Sequence, residues 1–445
     1  MDSTIKFRSR AAVALAIASA AVLTGCSGGS GGSTPAASDD GQPIEVWARS
    51  NPDASNTYTA LFKEFTAKTG IKVNFQGVTD LDQQLQTRAA SKKLPDIVIN
   101  DSAALGNYTA QGYLQKIDKS TVAGNDKISA SLWDEAKGLD GATYGVPFSR
   151  QTMVTMIRKD WREKLGLPIP KTQEDLAALA KAFATQDPDG NGKADTYGMA
   201  VPGSTERGYL GWWASSYLWQ DGASYLKDDG NGKYSSPASS AEAQKGVTWI
   251  KQQFCTNGNT QPGALTASSG AASPFFQTGK AGIILTGPYN FTAFDTALGK
   301  DKYEVIATPK GSVDNSVLAE GENIYVTATN GKKDQTKQVI DFLVSAEGQK
   351  AGMTAGAQPI VRVPVNSDVD AAAVYNDPRW NVVQDALKNS SKSFPSAINF
   401  VPIKQAAAEA LNKIVSDCAA DNVASGLKDL DSAINNELTS QNAKS

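Results

Sequence analysis

The hydrophobic positions of the first hundred residues switch repeatedly between a strand spacing and a helix spacing. Tyr58, Leu61 and Phe65 fall on one helical face, whereas residues 71–75 alternate between apolar and polar side chains. The patterns predict, in order, a strand over 44–47, a helix over 55–69, a strand over 71–75, a helix over 80–91 and a strand over 95–99. This β-α-β-α-β order favours a doubly wound sheet, in which ligands bind beyond the carboxyl ends of the strands.

Predicted helices and strands continue through the rest of the chain. Glu174 and Asp175 stand in the first turn of a predicted helix over 172–185, where acidic side chains favour the helix dipole. Further patterns predict strands at 281–285 and 325–327, a helix near 334–344 and helices through 404–438. Together they indicate an α/β protein large enough for two substantial units.

The N-terminus has the layout of a secretory signal peptide. Lys6, Arg8 and Arg10 precede an apolar run over residues 11–22, which is too short to cross a bilayer as a helix. We therefore expect a signal peptide over residues 1–25.

Residues 23–26 read Leu-Thr-Gly-Cys, which resembles the lipobox of bacterial lipoproteins. The resemblance implies cleavage before Cys26, lipid on Cys26, and a protein held outside the cytoplasm at the cell membrane. Residues 26–42 carry no large apolar side chain, so they are predicted to be a lipid-anchored flexible linker. The alternative is an ordinary signal peptide with a chance cysteine.

Two cysteines remain once Cys26 is set aside. In an oxidising compartment Cys255 and Cys418 are most simply explained as a disulfide, with two buried free thiols as the alternative.

Composition excludes several kinds of chemistry. The 445-residue chain contains no histidine, which excludes His-based triads, His-ligated zinc and His general bases. Its net charge of −3 gives no reason to expect nucleic acid as a partner. Catalysis by a pair of carboxylates, as in glycoside hydrolysis, is not excluded by the absence of histidine.

An ordered set of short segments resembles a known family over nearly all of residues 43–440. The segments are GIKV at 70–73, LPDIVINDS at 94–102, GYLQKID at 112–118, YGVPFS at 144–149, DPDGNGKADTYG at 187–198, FFQTGKAGIILTGPYN at 275–290 and SAEGQKAG at 345–352. The chain is similar to the extracellular solute-binding proteins of ABC transporters, in family 1, the maltose-binding-protein-like group that takes up sugars and oligosaccharides. The resemblance implies an α/β, two-lobe periplasmic-binding-protein-like fold of type II, with the ligand cleft between the lobes.

The resemblance also suggests where each lobe lies. The N-terminal lobe would comprise residues 43–148 plus 310–345, and the C-terminal lobe 149–309 plus 346–440. It implies a monomer that binds a small carbohydrate, hands it to the membrane permease subunits of an ABC transporter and contacts the membrane through its lipid.

A sugar is bound by an aromatic face together with planar polar side chains that hydrogen-bond its hydroxyls. In the family such residues follow strand ends that face the cleft. The candidates in this chain are Trp47, Asn51, Asp101, Arg150, Gln151, Trp212, Trp213, Tyr289 and Glu322. The chain departs from the family's pattern at Tyr289, where tryptophan is frequent, and at Glu322, near which relatives show a double glycine.

Several candidates have a structural alternative. Trp47 could belong to the core, Asp101 could cap a helix over 102–110, and Arg150 could form a surface ion pair. Trp212 and Trp213 are adjacent on a predicted helix, so only one of them can face the cleft.

A loop of acidic and glycine residues resembles part of an EF-hand. Asp187, Asp189, Asn191 and Asp195 stand at positions 1, 3, 5 and 9, but position 12 is Gly198 instead of glutamate. Structural calcium is one prediction, with no other cofactor expected; a rigid Asp/Gly turn after the helix over 172–185 is the alternative.

Two classes of function follow. The first is a lipid-anchored, non-enzymatic binding protein for a sugar or oligosaccharide. The second is an extracytoplasmic carbohydrate-active enzyme with a carboxylate pair, for which the sequence contains no recognisable catalytic motif.

Overall fold

The computed structural model describes residues 42–445. The predicted signal peptide, the lipid on Cys26 and nearly all of the predicted linker lie outside the described residues. In the described part no helix is long and apolar enough to cross a membrane. The strands are β1 (Ile44–Arg49), β2 (Val73–Val78), β3 (Ile97–Asp101), β4 (Gly145–Thr152), β5 (Val154–Arg158), β6 (Tyr197–Ala200), β7 (Lys227–Gly230), β8 (Lys233–Ser235), β9 (Ala281–Thr286), β10 (Tyr303–Ile306), β11 (Val317–Val326), β12 (Val363–Pro364) and β13 (Ser391–Lys392).

Helices cover most of the remaining chain. They are α1 (Pro52–Thr69), α2 (Leu81–Ala90), α3 (Leu105–Ala110), α4 (Ala130–Glu135), α5 (Lys159–Lys164), α6 (Gln173–Thr185), α7 (Tyr209–Gln220), α8 (Ala241–Cys255), α9 (Ser269–Gln277), α10 (Phe291–Leu298), α11 (Lys333–Val344), α12 (Ala346–Thr354), α13 (Ala371–Tyr375), α14 (Arg379–Asn389), α15 (Val401–Ser416) and α16 (Val423–Ser440).

The strands form two main sheets. A seven-stranded sheet has the order β12-β4-β11-β3-β1-β2, with β13 also paired to β11, and a four-stranded sheet has the order β10-β5-β9-β6. In the larger sheet β1 is parallel to β2 and to β3, as the doubly wound prediction requires, whereas β11 runs antiparallel to β3 and β4. The fold is therefore a mixed α/β arrangement with two sheets, as predicted.

The chain passes directly from one sheet to the other. β4 ends at Thr152 in the larger sheet, Met153 donates its amide to the carbonyl of Leu318, and β5 begins at Val154 in the smaller sheet. The return runs from β10, in the smaller sheet, to β11, in the larger one. The lobe boundaries inferred from the sequence stay a prediction.

Local signals explain where the first helix begins and ends. Asn51 caps α1, because its side-chain oxygen accepts a hydrogen bond of 2.9 Å from the amide of Ala54, and Pro52 occupies the first helical position. The helix ends at Gly70, which adopts a left-handed φ of 74°. Its apolar face, including Leu61 and Phe65, is fully buried in the core.

A disulfide links Cys255 to Cys418, which confirms the predicted pairing. Cys255 is the last residue of α8, and Cys418 follows α15, so the bridge joins the middle of the chain to its C-terminal helices.

Candidate functional site

A cavity of about 470 Å³ lies where strand ends and helix beginnings from both sheets converge. The segments that follow β1 and β3 contribute to one wall, and β4 and β11 run through it. The N-terminal turns of α7 and α9, together with Tyr289 in the turn after β9, contribute to the other. The lining residues are Arg49, Ser50, Asn51, Ala54, Thr79, Asp101, Ser149, Gln151, Arg207, Tyr209, Trp212, Ser269, Gly270, Tyr289, Glu320, Gly321, Glu322, Gln358, Arg362 and Lys404.

Two predicted aromatic residues line this cavity. The indole Nε1 of Trp212 donates a hydrogen bond of 2.8 Å to Oε1 of Glu320. The hydroxyl of Tyr289 accepts a hydrogen bond of 3.1 Å from Thr286, and its ring lies so close to Gly287 that a Cβ there would come within 2.4 Å of it. Glycine at position 287 therefore allows the ring to lie over the backbone.

Trp213 points away from the cavity and belongs to the core. Its ring packs against Tyr217 at a centroid distance of 4.8 Å and against Phe254 at 6.3 Å, and it is 1% exposed. The expectation that only one of the adjacent tryptophans can face the cavity fits this geometry, and that residue is Trp212.

Trp47 is also a core residue and does not reach the cavity. It packs with Leu81 and Leu85, its indole Nε1 donates to Glu45 at 3.0 Å, and Arg88 stacks over its ring at 4.9 Å. Its place within β1 points its side chain to the face of the sheet that α2 covers. The cavity begins two residues later, at Arg49.

Strand alternation explains why Gln151 lines the cavity and Arg150 does not. Successive side chains of a strand point to opposite faces, so Ser149 and Gln151 share the cavity face of β4. Arg150 points to the other face, where it pairs with Glu135 at 2.8 Å. Arg150 is 8% exposed, so it is a buried structural cation and not a surface ion pair.

Asn51 and Asp101 both line the cavity and both have structural partners. The Asn51 side chain caps α1 through its oxygen and donates from its nitrogen to Gln358 at 2.8 Å. Asp101 accepts a hydrogen bond from Arg49 and makes no side-chain cap to the helical turn that follows it. The helix-cap alternative for Asp101 is therefore not what the structure contains.

Glu322 also lines the cavity and is held by two partners. Arg362 donates to it at 2.8 Å and the Tyr58 hydroxyl donates to it at 3.3 Å. These two bonds tie β11 to α1 and to the segment just before β12, so Glu322 is both a cavity residue and a structural link.

Glu320 is the carboxyl group of the cavity without an arginine partner. It accepts hydrogen bonds from Trp212 and, at 3.5 Å, from the Gln151 amide. Burial raises the pKa of Glu320, and the nearby charge of Asp101 raises it further. Burial likewise lowers the pKa of the Lys404 ammonium.

The acidic loop after α6 is held by its own hydrogen bonds. Asp187 accepts from the amides of Gly190 and Gly192 at 3.1 Å, and Asn191 donates to Asp189 and Asp195. Asp195 also pairs with Lys280 at 3.0 Å. Among residues 42–445 no group of three or more His, Cys, Asp or Glu side chains is placed to hold a metal ion. These hydrogen bonds fit the rigid Asp/Gly turn given as the alternative, and calcium at this loop stays a prediction.

Sequence reasoning did not propose five of the lining residues as ligand-binding groups, three of them cations. Arg207, Tyr209, Gln358, Arg362 and Lys404 come from loops and helix turns far apart in the chain. No strand-end pattern marks them, because their positions depend on how α7, α15 and the segment before β12 pack.

Comparison with known proteins shows which family the chain resembles over most of its length. Residues 50–350 match the family described as "Bacterial extracellular solute-binding protein". Lipoprotein LipO of Bacillus subtilis (strain 168) is 27% identical over 357 residues, which are 75% of this chain and 69% of the relative. A maltooligosaccharide ABC transporter solute-binding lipoprotein of Streptococcus pneumoniae serotype 4 (strain ATCC BAA-334 / TIGR4) is 24% identical over 365 residues, 78% of each chain.

The fold has a counterpart among solved structures. An ABC transporter solute-binding protein from Thermotoga lettingae TMO, crystallised with alpha-D-tagatose, superposes with a TM-score of 0.75 at 19% identity, covering 88% of this chain and 100% of that one. This likeness confirms the predicted fold class. The enzyme alternative is set aside because the matched family is one of solute-binding, non-catalytic proteins. The family match spans well over half of the chain, which therefore belongs to the bacterial extracellular solute-binding protein family.

Proposed function

We propose that the protein is lipid-anchored outside the cytoplasm, captures a sugar or oligosaccharide in the cavity beside Trp212 and Tyr289, and delivers it as a monomer to the permease subunits of an ABC transporter. The observation that carries the proposal is the placing of these two aromatic rings among planar polar side chains. Aromatic faces pack against the C–H faces of a sugar, and amide, carboxylate and guanidinium groups hydrogen-bond its hydroxyls.

The relatives support the same class of solute. One is named for maltooligosaccharide and is itself called a lipoprotein, as is LipO. Their names support a sugar ligand, an ABC transporter as the partner and a lipid anchor on Cys26 for this chain. Within the cavity, Asn51, Asp101, Gln151 and Glu322 are proposed as hydrogen-bonding groups for the sugar.

Titration calorimetry against a panel of mono- and oligosaccharides tests the binding function. We expect saturable binding of at least one saccharide, with no change in the sugar on prolonged incubation. Tyr289→Ala should weaken that binding by about tenfold or more, equivalent to about 1.4 kcal/mol, whereas Tyr289→Phe keeps the ring and should bind nearly as the parent does. Turnover of the sugar, or unchanged affinity in Tyr289→Ala, would contradict the proposal.

Fractionation of cells tests the anchor. The parent should require detergent for release from the membrane, because lipid on Cys26 holds it there. Cys26→Ala should appear in the medium or remain unprocessed. A Cys26→Ala protein that still needs detergent for release would show that Cys26 is not the attachment point.

A further inference from the structure

We propose that the solute is an acidic sugar, and that Lys404 and Arg207 bind its carboxylate. This inference rests on the proposed function, because it concerns the same cavity, and it narrows the solute from sugars in general to those bearing a carboxylate.

The first step is the pairing of charges in the cavity wall. The lining contains four cationic side chains and three carboxylates. Arg49 is paired with Asp101, and Arg362 is paired with Glu322. Within each pair the two charges neutralise each other. One carboxylate, Glu320, and two cations, Lys404 and Arg207, remain in the lining.

The charges of Glu320 and Lys404 attract each other, but Glu320 forms no ion pair with Lys404 or with Arg207. Its carboxylate accepts from the Trp212 indole and the Gln151 amide, both neutral donors, and it forms no ion pair. Burial and the charge of Asp101 raise its pKa, so Glu320 is a weaker counter-charge for Lys404 than a solvent-exposed glutamate would be.

Lys404 and Arg207 are the cations left over. Among residues 42–445 neither side chain forms an ion pair or donates a hydrogen bond, although both line the cavity. Burial lowers the pKa of Lys404; the charges of Asp101 and Glu320 oppose this effect, and those of Arg49 and Arg207 add to it. Lys404 is half-buried, whereas Arg207 is exposed. A half-buried charge is costly unless it is paired, so an incoming carboxylate would remove an existing cost at Lys404 and add a second, exposed partner in Arg207.

The position of Lys404 is fixed by close packing, not by a polar partner. A Cβ at Gly208 would lie 2.7 Å from Cγ of Lys404, and one at Gly211 would lie 2.9 Å from its carbonyl oxygen. Glycine at both positions lets the first turn of α7 lie directly on α15. The backbone and the first part of the Lys404 side chain are therefore held against Gly208, the residue after Arg207, before any solute binds.

The rest of the cavity favours a sugar over a small inorganic anion. Trp212, Tyr289 and Tyr209 line the same space of about 470 Å³, which is far larger than a lone carboxylate or phosphate needs. A ring lying on these aromatic faces can place a carboxylate substituent against Lys404 and Arg207. A uronic acid, alone or within an oligosaccharide, has this combination of groups.

Paired ligands test the inference by titration calorimetry. The probes are mono-, di- and trisaccharides of galacturonate, glucuronate and mannuronate, each compared with its carboxyl-reduced neutral counterpart. We expect at least one uronate to bind about tenfold or more tightly than its neutral counterpart, since a hydrogen bond to a charged group contributes more than one between neutral groups. This preference should decline as the salt concentration rises.

Variants assign the preference to the two cations. Lys404→Met should lower affinity for the uronate about tenfold more than it lowers affinity for the neutral counterpart. Lys404→Arg should retain part of the preference, and Arg207→Gln should reduce it. Lys428→Met, which removes an exposed lysine of α16 outside the cavity, controls for the change in net charge.

The outcomes separate this inference from the proposed function. If neutral sugars bind as tightly as every uronate, or if Lys404→Met weakens both equally, the acidic-sugar inference is wrong and the sugar-binding function stands. If no saccharide of either kind binds, the proposed function itself is wrong.

Discussion

Trp212 and Glu320 are joined by a hydrogen bond of 2.8 Å between the indole Nε1 and carboxylate Oε1. Trp212 lies in the first turns of α7, and Glu320 lies in β11, which occupies an inner position of the seven-stranded sheet. β11 is paired with strands on both of its edges. The bond from Glu320 therefore orients the indole ring of Trp212, which is one of the aromatic faces of the cavity. It also gives Glu320 a role in positioning a neighbouring side chain, apart from any contact with solute.

Truncation of Trp212 should mainly lower affinity for the solute, whereas truncation of the adjacent Trp213 should mainly lower stability. Trp212→Ala removes a cavity face and should weaken binding of the solute by about tenfold or more. Trp212 is 8% exposed and bonds Glu320, so some stability is lost as well, but less than in Trp213→Ala. Trp213→Ala leaves a hole beside Tyr217 and Phe254 and should cost about 3–5 kcal/mol in the free energy of unfolding. Urea unfolding and calorimetry on both variants check this pair. Equal stability losses would show that Trp212 is a core residue too.

The raised pKa of Glu320 predicts a particular pH dependence of stability. When a carboxyl has a higher pKa in the folded state, its contribution is fully present below the ordinary value of 4.5 and is lost as pH rises through the raised value. Asp101, Lys404 and Arg49 are the charged groups that act on Glu320. Glu320→Gln removes the titration, so its stability relative to the parent should increase as pH rises above about 4.5.

Urea unfolding of both proteins between acidic and neutral pH measures this difference. Glu409→Gln on the exposed face of α15 is the matched control, and its stability relative to the parent should show no such increase. A stability difference between Glu320→Gln and the parent that stays constant or falls with pH would mean that the folded protein does not disfavour the charged form of Glu320.

The sequence predicted the elements whose hydrophobic period is uninterrupted. β1, α1 and β3 were found within a few residues because apolar spacing and flanking polar residues agree there. β11 was found only at its end, although it begins at Val317. The run Glu320-Gly321-Glu322 interrupts the apolar alternation, and these residues are polar because they line the cavity. The hydrophobic pattern therefore failed to predict β11 at the residues that line the cavity.

Most of the polar cavity residues that the sequence predicted follow or end a strand. Asn51, Asp101 and Gln151 follow or end strands and line the cavity, as expected. Arg150 was predicted to line the same cavity because it follows the expected boundary between the lobes at residues 148 and 149. As a residue of β4, however, it must face opposite to Gln151. Lys404 was missed because it lies inside a helical pattern, and only the packing of α15 on α7 brings it to the cavity.

Loss of the Cys255–Cys418 disulfide should lower stability without changing the site. The bridge closes a loop with a sequence separation of 163 residues, so in the chain-entropy model its removal costs about 2–5 kcal/mol. The double variant Cys255→Ala/Cys418→Ala should unfold at lower urea and become insensitive to reductant, whereas the parent should lose the same stability when reductant is added. Unfolding of the parent that reductant leaves unchanged would contradict a stabilising role.

A second stabilising feature lies away from the cavity, around Arg379 at the start of α14. Its guanidinium donates two hydrogen bonds to Asp295, of 2.7 and 2.6 Å, and another of 2.6 Å to Asp377. It also stacks over the ring of Phe291 at 4.7 Å. Burial opposes ionisation of Asp377, but hydrogen bonds from Arg379 and Lys300 outweigh it and lower its pKa to about 2.

Arg379→Met should therefore destabilise the protein by about 3–5 kcal/mol, because it leaves two carboxylates without their main partner. In the parent, the contribution of Asp377 is present above its ordinary pKa of 3.8 and is lost as pH falls towards 2, so the difference between parent and variant should narrow on acidification. Arg379→Met/Asp377→Asn should recover part of the loss, since one unpaired charge is gone. Urea unfolding at neutral and acidic pH measures all three proteins, and a single variant within about 0.5 kcal/mol of the parent would show that the network is not stabilising.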